Sequence, residues 1–134
     1  MQKTRHVHFI GIGGTGMNGI ASIMLGLGYR VSGSDLKPSA VTDRLAASGA
    51  ICYTGHSRDN LEGAGLVVAS TAIPADNVEL VEANSRGLPV VHRGEMLAWL
   101  MDRQKGIAVA GAHGKTTTSS MLALVLERAR SNRR

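Results

Sequence analysis

The chain has 134 residues, a net charge of +5, 43% hydrophobic residues and 17 glycines. This is a globular composition, sized for one domain or one domain plus the opening of another, and it excludes a disordered or collagen-like chain. Residues 1–100 balance at eight Lys/Arg and eight Asp/Glu, so the basic excess lies in residues 101–134; a solvated helix end explains it, and no nucleic-acid partner is expected.

Val7-His8-Phe9-Ile10 reads as a short strand ending at a glycine-rich loop. Met17, Ile20, Ala21, Met24 and Leu27 recur at helical spacing, with Gly28 placed to end that helix. Tyr29 to Gly33 predicts a second strand, stopping at Ser34-Asp35. A helix from Pro38 to Ala47, closed by Gly49, precedes a third strand at Ala50–Tyr53. Leu66–Ser70 is a fourth strand, apolar enough to be buried on both faces. A helix around Asn77–Arg86, a short strand at Pro89–Val91 and a helix at 94–102 follow. The polar segment Asp102–Gly106 reads as a boundary, Ile107–Ala110 as a strand into a second loop, and Thr116–Arg130 as a helix. Alternating strands and helices imply an α/β fold: a Rossmann-like open parallel sheet flanked by helices. The first strand, loop and helix of a P-loop ATPase domain would follow it. The division expected is 1–103 and 104–134.

Aromatic residues are few, so the core must rest on Val, Ile, Leu, Ala and Met. Cys52 is the sole cysteine and reads as a buried strand residue. With no signal-peptide pattern and no apolar run long enough for a bilayer, a cytoplasmic protein without a membrane partner is expected. His6, His8 and His92 read as strand-edge histidines, since no spacing argues for a metal.

Two glycine loops carry the chemistry. Gly11, Gly13 and Gly16 satisfy G-x-G-x-x-G between a strand and a helix, with Gly14, Thr15 and Met17 completing the turn. Such a loop lets backbone approach a pyrophosphate at a helix N-terminus. Asp35 stands where a carboxylate would accept from ribose hydroxyls, or it is a plain surface cap. NAD, FAD and a UDP-sugar would all suit this site. The second loop, Gly111-Ala112-His113-Gly114-Lys115-Thr116-Thr117, resembles a P-loop with Val109 in place of its first glycine. Its N–H groups would cradle phosphate, Lys115 would reach the β- and γ-oxygens, and the Thr116 hydroxyl would hold Mg²⁺ beside ATP. Only Glu127 follows as a carboxylate, so the chain alone is not expected to hydrolyse ATP efficiently.

Taken together, these residues resemble the start of the Mur ligases of peptidoglycan synthesis. The matching segments are Gly11–Met17, Val31–Asp35, Gly55-His56 with Asn60, Ser70–Ile73, Arg93–Leu97 and Ala110–Thr118, in family order. Ala112 and Gly94 depart from the family's usual Thr and Ala, both small replacements. The resemblance implies a longer protein, with a UDP-sugar domain here and the opening of an ATP-binding domain. It implies amide formation between UDP-N-acetylmuramate and L-alanine through an acyl phosphate, driven by ATP and Mg²⁺. In that reading Gly13–Met17 hold the pyrophosphate, Asp35 the ribose, and His56, Ser70 and Ala72 the uridine and diphosphate side. Arg93 faces the substrate or pairs with Glu95; His113 places phosphate or packs within its loop. Rival readings are a ligase recycling murein peptides onto the same sugar, a NAD-dependent oxidoreductase domain, and a binding module without catalysis.

Overall fold

A computed structural model describes residues 6–108, with side chains to residue 102. The second loop, Gly111–Thr117, lies outside the described residues.

Five parallel strands form one sheet in the order β3-β2-β1-β4-β5. They are β1 (His6–Ile10), β2 (Arg30–Asp35), β3 (Ile51–Thr54), β4 (Leu66–Ala69) and β5 (Val90–His92). The helices are α1 (Met17–Gly26), α2 (Ala40–Ala47), α3 (Val78–Ser85) and α4 (Arg93–Ala108). The expected α/β sheet is thus the observed one, and β1 is its central strand.

One face of the sheet carries the larger core. Val7, Phe9, Val31, Leu66, Val68 and Val91 pack there against Met17, Ile20 and Met24 of α1 and Met96, Trp99 and Leu100 of α4. The helical spacing read from Met17 to Met24 is this buried stripe. The opposite face, under α3 and the 3₁₀ turn Arg58–Leu61, has a smaller apolar cluster of Ile10, Leu61, Val67, Ala83 and Leu88. Beside that cluster the face is polar.

Helix α2 starts two residues later than expected. Ser39 caps it, accepting from the Thr42 N–H, while the Thr42 hydroxyl accepts from the Ser39 N–H. That reciprocal pair satisfies orphan donors at the helix start better than Pro38 would. Helix α4 runs on through the polar segment 102–106 and takes in Ile107 and Ala108, expected as strand. A strand needs a partner for its backbone groups, and none of the five described strands pairs there; a helix satisfies its own. Cys52 is half-buried on β3, its thiol donating to the Thr42 carbonyl at 3.5 Å. Burial and then the charge of Asp43 push the thiol's pKa up, against reactivity.

Gly33 allows the closest approach in the sheet. A Cβ there would lie 2.5 Å from two carbons of Ile12, a buried residue of the first loop. Gly33→Ala should therefore cost about 1–3 kcal/mol, since the backbone or Ile12 must shift. Urea denaturation of the variant checks this; wild-type stability would mean that Ile12 rotates away freely.

Candidate functional site

The strand order reverses at β1: β2 and β3 lie to one side, β4 and β5 to the other. In open parallel sheets the crevice at that switch, beyond the strands' C-terminal ends, is where ligands bind. The loop Gly11–Gly16 occupies it. On the β2 side Asp35 holds the loop, one oxygen accepting from the Gly13 N–H at 2.8 Å and the other from the Leu36 N–H at 2.9 Å. A Cβ on Gly13 would sit 2.8 Å from that carboxylate. The second glycine is thus required by Asp35 as well as by any ligand.

On the other side, the turn after β4 brings Ile73 against Gly11, 3.4 Å from where a Cβ would stand. Ser70 is half-buried and accepts from the Ala72 N–H at 3.2 Å, and Ala72 is exposed at the crevice rim. At the far end of the loop, Gly16 has the left-handed backbone that disfavours side chains, with φ 85°. The Arg93 guanidinium lies directly over it, its Nη1 3.1 Å from a Cβ position. Arg93 makes no ion pair with Glu95 among the described residues; Glu95 instead accepts from the His92 N–H at 2.9 Å.

The loop's backbone donors are mostly used internally. Gly11 and Ile12 donate to the Ser34 carbonyl, Gly14 to Gly11, and Met17 and Asn18 to Gly14. The N–H groups of Thr15 and Gly16 have no partner among the described residues. Helix α1 has no side-chain cap and no acidic residue in its first turn. Unpaired N–H groups at the positive end of a helix favour a negative charge in general. Met17 itself is buried core, so only its backbone belongs to the loop.

The residues that sequence reasoning missed lie on the opposite face. Glu79, at the N-terminal turn of α3, is fully buried. Its Oε1 accepts from His8 Nε2 and Ser34 Oγ, both at 2.7 Å. Its Oε2 accepts from Asn60 Nδ2 at 2.7 Å and the Ser57 N–H at 3.0 Å. His56 Nδ1 lies 2.8 Å from Ser34 Oγ and 3.7 Å from Oε2. Ser32 Oγ links His8 Nδ1 and His6 Nε2, each at 2.8 Å. His8 is therefore not a strand-edge residue: it is wholly buried on the central strand. His6 is half-buried, and burial lowers its pKa, with the charges of His8 and Arg30 adding to this against a backbone bond from Gly63. His92, on edge strand β5, is exposed as expected.

Burial works to raise the Glu79 pKa, yet the bonds from His8, Ser34 and Asn60, with the His8 charge, outweigh it. They hold the carboxyl down at about 2, below its ordinary 4.5. A cavity of about 560 Å³ opens towards the strands' N-terminal ends, lined by His6, Arg30, Tyr53 and Glu62 among others. None of the site residues expected from the sequence lines it.

A five-stranded parallel sheet with a glycine-rich loop at its switch point is a Rossmann-like α/β domain. The chain belongs to the Mur ligase family: residues 6–117 match the family model described as "Mur ligase family, catalytic domain". A UDP-N-acetylmuramate–L-alanine ligase of Pelotomaculum thermopropionicum is 77% identical over 128 residues, covering 96% of this chain and 28% of that protein. The solved UDP-N-acetylmuramate-alanine ligase of Thermotoga maritima is 32% identical at a TM-score of 0.67, over 93% of this chain and 30% of that one. A murein-peptide ligase from Neisseria meningitides is 35% identical at 0.64, over 94% and 40%. The chain thus spans under a third of the length of this curated relative. Among the described residues no helix is long and apolar enough to cross a membrane.

Because Glu79 has a lowered pKa in the folded chain, its contribution to stability is fully present above pH 4.5 and lost as pH falls through about 2. Stability by urea denaturation should fall across that window. Glu79→Gln should flatten the fall and cost about 1–3 kcal/mol at neutral pH, since an amide nitrogen would face two donors. Equal acid slopes in both proteins would mean that another group carries the dependence.

Proposed function

We propose that this chain is the UDP-sugar-binding part of an ATP-dependent ligase that joins L-alanine to UDP-N-acetylmuramate in peptidoglycan biosynthesis. The observation that carries the reading is the start of α1 at the switch point: Thr15 and Gly16 N–H groups without a partner among the described residues, with the Arg93 guanidinium beside Gly16. A sugar nucleotide's pyrophosphate matches that geometry and charge. Family membership favours a ligase over a NAD-dependent oxidoreductase. Relatives at 77% and 58% identity are alanine ligases, which favours L-alanine over murein peptide; solved neighbours include both kinds.

In this reading Gly11, Gly13, Gly14, Thr15, Gly16 and the Met17 backbone hold the pyrophosphate, with Arg93 across from them. Asp35 keeps lone pairs for the ribose beyond the two N–H groups it already accepts. His56, Ser70 and Ala72 take the uridine side. Residues 104–134 open the ATP-binding domain, in which Gly111–Thr117 cradle phosphate, Lys115 and His113 serve phosphoryl transfer and Thr116 holds Mg²⁺. ATP would supply the phosphoryl group that activates the muramoyl carboxylate for attack by the alanine amine. The compartment proposed is the cytoplasm.

Calorimetric titration of the chain with UDP-N-acetylmuramate, with NAD in parallel, tests the reading. Selective binding of the UDP-sugar is expected. Arg93→Ala should weaken it about tenfold to a hundredfold, the worth of a charge-assisted hydrogen bond. Binding of NAD alone, or an affinity indifferent to Arg93, would overturn it.

A further inference from the structure

Glu79 is buried and ionised, and it belongs to none of the ligand-facing groups, yet its bonds lead to the crevice. A carboxylate has no proton to give, so the Ser34 hydroxyl, 2.7 Å away, donates to it. A hydroxyl has one proton. With that proton committed, Ser34 Oγ only accepts from His56 Nδ1 at 2.8 Å. His56 therefore carries its proton on Nδ1, and in the neutral ring Nε2 is a bare acceptor. Nε2 has no partner among the described residues, although only 15% of the side chain is exposed. His56 sits just beyond β3 at the strands' C-terminal edge, and its anchor Ser34 also holds the glycine loop through its carbonyl.

We infer that Glu79 is a positioning residue: through Ser34 it locks His56 in the Nδ1–H tautomer and presents Nε2 as an acceptor to a nucleotide's donor group. The donor is either the N3–H of a uracil or a ribose hydroxyl. The ligand part rests on the proposed nucleotide reading; the tautomer does not. Uracil carries a proton at N3 and cytosine a lone pair, so a contact to the base would favour UDP over CDP, whereas a ribose contact would not separate them.

Long-range ¹H–¹⁵N correlation spectra of the ¹⁵N-histidine-labelled chain, taken above the ring's titration, read the tautomer directly. Wild type should show His56 with Nδ1 protonated and Nε2 bare. Ser34→Ala should return the ring towards the Nε2–H form that free histidine favours, and Ser34→Thr, which keeps the hydroxyl, should restore the wild-type form. UDP should shift the wild-type Nε2 resonance, and Ser34→Ala should bind UDP about tenfold more weakly, one hydrogen bond's worth. A purely structural role for Glu79 would move stability without moving the tautomer. Nε2–H in wild type, a tautomer indifferent to Ser34→Ala, or unchanged UDP affinity after the tautomer flips would each overturn the inference. Failure of Ser34→Ala to fold would leave the wild-type tautomer to decide it. A chain that binds no uridine nucleotide would sink the proposed function and the ligand half of this inference, while the tautomer would still decide the positioning role.

Discussion

A fully buried carboxylate with four hydrogen-bond donors aimed at it governs one face of the sheet. Ionised Glu79 draws His8 from the central strand, Ser34 from β2, and Ser57 and Asn60 from the segment around the 3₁₀ turn. Taking a charge out of water is costly, and only a complete set of partners offsets it. The set here is complete on both oxygens. Asn60 spends its second amide proton on the Gly55 carbonyl, so the turn leading to His56 is fixed by the same side chain. Four segments far apart in sequence are thereby tied at one point, while the other face carries the larger apolar core.

Ser34 joins the two faces functionally. Its hydroxyl reaches Glu79 on the α3 side, and its carbonyl accepts from Gly11 and Ile12 at the start of the glycine loop. The next residue, Asp35, holds Gly13. Two consecutive residues at the end of β2 thus fix three consecutive residues of the loop, and at its far end the Thr15 and Gly16 N–H groups have no partner among the described residues. The loop's conformation is thus set by bonds within the chain, and a ligand that used its remaining donors would meet a smaller ordering cost.

The sheet was legible because apolar runs ended at glycines and loops of the right kind, and the loop after β1 was legible from its spacing. The buried polar cluster was not. His8 and Glu79 are 71 residues apart, and no local period connects them. A usable signal did exist in His6-Val7-His8-Phe9-Ile10 and Val31-Ser32-Gly33-Ser34. A strand running straight into a Rossmann-type loop is central and covered on both faces, so its alternate polar side chains must find buried partners. That constraint is what buries His8 on the central strand, away from any sheet edge. Ile107 and Ala108 failed for a different reason: four small or apolar residues after a polar stretch suit a strand only where another strand is ready to pair with them.

Arg93 shows how little of a site's charge need come from the motif that defines it. It lies 77 positions after Gly16 in sequence and sits over it because β5 ends there and α4 begins. That placement depends on Met96, Trp99 and Leu100, which pin the first turns of α4 into the larger core beside α1. A long cation on a flexible stem is otherwise a diffuse charge. Here the stem starts from a packed helix and reaches a glycine with no side chain to displace it. Replacing Gly16 with a larger residue would therefore act twice, straining a left-handed backbone and displacing the guanidinium that lies 3.1 Å from where its Cβ would stand. The third glycine of the loop is in this chain as much a seat for Arg93 as a hinge for the backbone.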